Sequence, residues 1–269
     1  MRRENRRDRR PAERPNTIAA SQYLPGRNAI RELLTRAPER IRSLLYADGG
    51  GAAPDREEIL AAARSAGVSV QIVKRERLDE ISEGAVHQSF VAELTALPEG
   101  SLTDLIQQAE KSERPILLFL DSIHDPHNLG AILRAAECFG VQGVVWSRNR
   151  GASITPTVRK VSVGASELVP QVVIGNLADG VRKVKEAGFW VVTAELGPES
   201  VPLPRFESPQ RVALILGSEG EGVQPLLRKL ADFRVQIPMR GAIDSLNVSQ
   251  ATAVLLYGLR EGGFTRNGA

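Results

Sequence analysis

Ile237-Pro238-Met239-Arg240-Gly241-Ala242-Ile243-Asp244-Ser245-Leu246-Asn247-Val248-Ser249-Gln250 runs from a predicted strand directly into a predicted helix. Residues 233–239 read as the strand. From Val248 the apolar residues Val248, Ala251, Leu255 and Leu256 follow one helical stripe. A serine and an asparagine lie in the turn between them. Read locally, Asn247 is an N-cap and Gln250 completes a capping box. The other reading makes Ser245 and Asn247 part of a site at a strand end. Two further segments of the chain favour that second reading.

Upstream, apolar strands alternate with helical stretches. Residues 116–120, 143–146, 189–194 and 212–216 are apolar runs of strand length. Helical patterns occupy 129–139, 177–187 (stopped at Gly188) and 225–230, the last with Pro225 in its first turn. Continuous apolar strands between helices predict an α/β domain whose parallel sheet is covered on both faces. Ligands of such sheets sit beyond the carboxyl ends of the strands. Nearer the N-terminus, a helix at 26–35 and a strand at 43–47 come first. Asp55 and Glu58 form a capping box before a helix stopped by Gly67. Strands at 68–72 and 87–94 complete a smaller α/β unit. Pro98-Glu99-Gly100-Ser101 marks the boundary. The predicted organisation is a basic arm over 1–20, a small unit over 21–97, a linker with a helix over 98–113, and the large unit over 114–269.

Composition narrows the function classes. The chain has 269 residues, 42% hydrophobic and only 4% aromatic, so a surface built mainly on stacking is disfavoured. No apolar run approaches the ~20 residues that span a bilayer, and no membrane role is expected. Cys138 is the one cysteine, which excludes a disulfide within the chain and suits a cytoplasmic protein. The formal charge is +3, but residues 2–14 carry seven arginines against three acidic residues, a net of +4. That arm lacks an apolar pattern and reads as disordered, either as a phosphate-contacting tail on nucleic acid or as a solubilising tail.

The two supporting segments also stand at strand ends. In Asp121-Ser122-Ile123-His124-Asp125-Pro126-His127-Asn128, Asn128 reads as a turn residue, and Arg134 interrupts the otherwise apolar run 131–136 on the following helix. Taken alone, Arg134 reads rather as a solvated arginine on an amphipathic helix. His124, His127 and Asp125 lack a further ligand cluster, so no metal is expected. In Leu216-Gly217-Ser218-Glu219-Gly220-Glu221-Gly222 the glycine spacing fits neither a dinucleotide fingerprint nor a P-loop. Glu219 and Glu221 would repel a pyrophosphate but not a ligand with a positive centre, such as S-adenosylmethionine. A Gly-rich turn that only permits close packing is the plainer reading.

Taken together, Asn128-x5-Arg134, Gly217-x-Glu219-Gly220 and Ile237-Pro-Met…Ser245-Leu-Asn247-Val-Ser resemble the three motifs of the SpoU (TrmH-type) RNA ribose 2′-O-methyltransferases of the SPOUT superfamily. The likeness covers about residues 114–260. The N-terminal unit is similar to the substrate-binding domain of the subgroup that modifies a guanosine of large-subunit ribosomal RNA, though Ser89 stands where that subgroup's pattern has glycine.

The resemblance implies a trefoil-knotted parallel-sheet domain behind a small RNA-binding domain, a homodimer, and a site completed across the interface. It implies that Gly217, Ile237 and Leu246 line an S-adenosylmethionine pocket. It further implies that Asn128, Arg134, Glu219, Ser245 and Asn247 form the catalytic site. The implied reaction is in-line attack of a ribose 2′-oxygen on the cofactor's methyl, for which alignment is worth about 7–11 kcal/mol in the best cases. Arg134 is then either the base or a clamp on the adjacent phosphate. An arginine side chain does not ordinarily lose its proton, and the residues leave both versions open. A transfer RNA substrate, a non-catalytic RNA-binding protein of the same fold and a nicotinamide-dependent enzyme are the alternatives. The absent G-x-G-x-x-G counts against the last.

Overall fold

The computed structural model describes residues 22–47, 54–96 and 100–261; the basic arm expected over 1–20 lies outside them. The N-terminal unit holds β1 (Tyr23–Pro25), α1 (Arg27–Arg36), β2 (Ile41–Tyr46), α2 (Pro54–Ser65), β3 (Ser69–Ile72), α3 (Arg75–Ile81) and β4 (Phe90–Leu94). Its four strands pair in the order β1-β4-β2-β3; β4 is antiparallel to both neighbours and β2–β3 is parallel. Asp55 lies inside the first turn of α2, so it is not the cap that a capping box would require. The expected strand 87–94 begins at Phe90, because Gln88 and Ser89 have φ of 52° and 65° and turn the chain. Ser89, expected as glycine, therefore holds a left-handed conformation that glycine adopts without strain.

The second unit follows as α4 (Leu102–Ala109), β5 (Ile116–Leu120), α5 (Pro126–Cys138), β6 (Gly143–Ser147), α6 (Pro156–Val161), α7 (Ala165–Leu168) and β7 (Gln171–Ile174). It continues with α8 (Leu177–Glu186), β8 (Trp190–Ala194), β9 (Val201–Pro202), β10 (Val212–Leu216), α9 (Pro225–Leu230), β11 (Phe233–Gln236) and α10 (Val248–Arg260). Seven strands, all parallel, lie in the order β7-β6-β5-β10-β8-β11-β9. Apolar side chains of β5 alternate between two cores. Ile116, Leu118 and Leu120 face α5 and α10, while Leu117 and Phe119 face α4, α8 and α9. Burial on both faces is why these strands read as unbroken apolar runs. Each such side chain contributes about 1.5–3 kcal/mol when fully buried.

Helix ends follow local chemistry. Ser101, Asp125, Thr155, Asn176 and Asn247 each cap a helix with a side-chain oxygen. At the end of α8, Gly188 takes φ 82° and its amide bonds Lys185 O, while Phe189 N bonds Val184 O. This is the Schellman pattern that a left-handed residue allows. The end of α10 is held by reciprocal arginines. Arg260 donates to the carbonyls of Phe139, Gly140 and Arg114, and Arg114 donates back to Arg260 O and Leu259 O at 2.8 and 3.2 Å.

The two units pack through α6 and α7. Leu168 joins the apolar core of the N-terminal unit. Glu167, whose side chain is fully buried, pairs with Arg40 of the N-terminal unit at 2.8 Å and with Arg159 of α6. Burial, and then Arg40, lower the Arg159 pKa to about 10, so it stays protonated at neutral pH.

Candidate active site at the carboxyl ends of the central strands

Three chain segments meet beyond β5 and β10. Asn128 is not in a turn, as the sequence suggested, but in the first turn of α5, placed there by the Asp125 cap. The cap bond, Asp125 Oδ1 accepting the His127 amide at 2.9 Å, occupies a carboxylate that a metal reading would have used. No group of three or more possible metal-binding side chains occurs among the described residues.

Glu219 leaves β10 on a loop that Asp121 fixes. Asp121 is 1% exposed. Its carboxylate accepts the Gln224 amide at 2.8 Å, the Gln224 side-chain amide, and the Ser122 hydroxyl at 3.1 Å. The same loop closes on itself at Gly217. A Cβ there would lie 2.1 Å from the Gly222 carbonyl carbon and 2.3 Å from Val223 N, backbone against backbone. Only glycine permits that approach.

Asn247 caps α10, its Oδ1 accepting the Ser249 amide at 2.8 Å, as the local reading required, but Gln250 makes no capping-box bond among the described residues. Its amide nitrogen donates to Asn128 Oδ1 at 2.9 Å and to Glu219 Oε1. Glu219 Oε1 also accepts Asn128 Nδ2 at 3.1 Å and the Val248 amide at 3.4 Å. One carboxylate oxygen of the second motif thus gathers donors from the first and third, at the N-terminus of α10, where the helix dipole favours negative charge. The capping and the convergence are one structure, so the two readings of Asn247 do not compete.

A cavity of about 150 Å³ opens beside this cluster. Its apolar wall is Ala194, Val235, Ile237, Leu246 and Leu255, with Ser245 and Asp244 at the rim. The strand expected to reach Met239 ends at Gln236, which frees Ile237 to turn into that wall. Gly217 is absent from the lining; its place is the loop crossing. Ser245 is exposed and its hydroxyl donates to Asp244 at 3.2 Å, apart from the Asn128–Glu219–Asn247 cluster. Arg134 is exposed on α5 and has no hydrogen bond or ion pair among the described residues. The sequence reading passed over the supporting groups Asp121, Gln224, Arg159 and Glu167. Of these only Asp121, a lone carboxylate closing an apolar strand, left a signal.

Residues 115–257 match the SpoU rRNA Methylase family, and residues 23–100 match the RNA 2′-O ribose methyltransferase substrate binding family. The chain is 38% identical over 242 residues to the 23S rRNA (guanosine-2′-O-)-methyltransferase RlmB of Salmonella typhimurium, covering 88% of this chain and 97% of that protein. The Escherichia coli K12 protein of the same name is likewise 38% identical, with the same coverage. The AdoMet-bound rRNA methyltransferase of Sinorhizobium meliloti superposes with a TM-score of 0.69 at 26% identity, over 90% of this chain and 87% of that one. With a sheet, a three-motif cluster and both sequence matches in agreement, the chain belongs to the SpoU family of rRNA methylases.

Proposed function

We propose that this protein methylates the ribose 2′-hydroxyl of a guanosine in 23S ribosomal RNA, with S-adenosylmethionine as donor. The observation that carries this is the junction of Asn128, Glu219 and Asn247 on one carboxylate oxygen beside the Ile237–Leu246 cavity. The names of the bacterial relatives support the substrate, and the AdoMet-bound homologue supports the donor.

The cavity suits that cofactor: apolar walls fit an adenine, and the acidic rim residue Asp244 fits a cationic centre. At about 150 Å³ it is smaller than the roughly 300–1,000 Å³ of ligand pockets, so Ile237 and Leu246 hold the cofactor only in part. Bound there, S-adenosylmethionine supplies an already activated methyl. The protein's share is then alignment and charge. Asn128, Glu219 and Asn247 fix the three loop ends, and Ser245 orients the RNA side. Arg134 holds the neighbouring phosphate and stabilises the developing alkoxide; as the methyl passes from sulfur to oxygen the 2′-hydroxyl proton goes to solvent and S-adenosylhomocysteine leaves.

Arg134 has no partner among the described residues, and Ile243 and Leu246 of the 237–247 segment and Val254 and Tyr257 of α10 expose apolar surface. Both features support a homodimer in which Arg134 completes the partner's site. The crossing of 237–247 from β11 to α10 supports the trefoil knot, and residues 21–97 are proposed to select the RNA.

The test is methyl transfer to protein-free 23S rRNA alongside cofactor titration. Arg134→Ala and Arg134→Lys should both lose transfer while binding S-adenosylmethionine as the parent does, because lysine cannot form the bidentate clamp. Near-normal transfer in either variant would sink the assignment.

A further inference from the structure

A second cavity, about 260 Å³, lies beyond the ends of β6 and β7, and no role above uses it. Ser147 forms its floor, Asn149 and Arg150 one wall, Asn176 another, and Gln224 and Leu226 the side nearest α9. Ser147 is 7% exposed and lines the cavity; among the described residues its hydroxyl makes no hydrogen bond, so it is open to a ligand that enters. Asn176 spends its oxygen capping α8, at 2.9 Å from the Ala178 amide, which leaves its amide hydrogens free. Gln224 spends its amide nitrogen on Asp121, which leaves its oxygen free. Arg150 is exposed and, among the described residues, its side chain has no partner. No carboxylate lines the cavity, and Leu226, half exposed, supplies an apolar face.

This inventory is one free cation, several donors, an acceptor and one apolar wall. It matches a nucleotide: phosphate on arginine, base edge on amides and hydroxyl, base face on leucine. The cavity is also joined to the candidate active site. Gln224 and Glu219 share one loop, and the Ile123–Gly151 bridge ties the turn before α5 to the Arg150 loop. We propose that this cavity is an RNA subsite. It holds one nucleotide flanking the methylated one, with its phosphate on Arg150 and its base against Ser147, Asn176 and Leu226. The proposal rests on the RNA-methyltransferase reading.

The test is equilibrium binding of a fluorescently labelled 23S rRNA domain to the full chain, over a salt series, with methyl transfer measured in parallel. Arg150→Ala should weaken binding and lower the slope of log affinity against log salt by about one. Arg182→Ala, removing an arginine of α8 paired with Asp179, should leave that slope unchanged. Ser147→Val, which fills the floor, should weaken binding roughly three- to tenfold without changing the slope. If that variant does not fold, Leu226→Ala at the rim should show the same slope-neutral loss. Unchanged binding in Arg150→Ala, an equal effect of Arg182→Ala, or parent-like binding in the floor or rim variant overturns the subsite. The enzyme reading fails separately, if the parent protein binds this RNA but transfers no methyl group.

Discussion

Glu167→Ala should be among the most damaging single substitutions outside the cores. The Glu167 side chain is fully buried between Arg40, 14% exposed, and Arg159, 4% exposed. Removing the carboxylate leaves two cations facing each other, one of which burial and its neighbour already hold at a pKa of about 10. Breaking a buried pair by deleting one partner costs about 3–5 kcal/mol. Arg40 can turn partly to water, which points to the low end, about 3 kcal/mol. For a chain of this size each kcal/mol shifts Tm by about 2–4 °C, so the expected fall is roughly 6–12 °C. Calorimetry at pH 7 measures it. Adding Arg159→Met to Glu167→Ala should recover part of the loss, because it removes the orphaned charge. Arg40 belongs to the N-terminal unit, so the single variant should also bind structured RNA more weakly below its Tm while keeping its cofactor affinity. A folded Glu167→Ala protein that loses less than about 1 kcal/mol would refute the argument that this carboxylate offsets one buried and one partly buried cation.

Ser89→Gly should stabilise the chain by about 1 kcal/mol or slightly less, since it relieves the 65° φ at some cost in unfolded-state entropy; chemical denaturation would read the midpoint, and a decrease contradicts the strain. Gly217→Ala places a Cβ on backbone atoms of residues 222 and 223, so calorimetry should find cofactor binding lost or the protein insoluble; parent-like affinity would mean the loop yields freely. Asp121→Asn keeps the shape but removes the charge that three donors share. It should cost about 1–3 kcal/mol and slow methyl transfer beyond the stability effect, by loosening the loop that carries Glu219. Equal transfer rates at a common temperature below both melting points would argue against that coupling.

Much of this protein was legible from sequence because its signals are local. The strands 116–120 and 212–216 matched their apolar runs residue for residue, since side chains of both parities are buried. The Asn247 cap and the Gly188 stop are decided by neighbouring amides. Ser89 was read inside a strand although the family pattern has glycine there, and the structure gives it the left-handed backbone that glycine favours. Elements too short to show a period went unseen: β1, α3, α6, α7, β7 and β9. The strand ends at 89 and 237 were misplaced because backbone turns, rather than side-chain polarity, terminate them. Tertiary structure alone decided that Asn128, Glu219 and Asn247 share one oxygen, across separations of 91 and 28 residues. Each residue is indistinguishable from an ordinary cap or turn until β10 is inserted between β5 and β8 and the chain returns to lay α10 against α5. The same holds for Glu167, whose buried charge has meaning only beside two arginines that the fold brings to it.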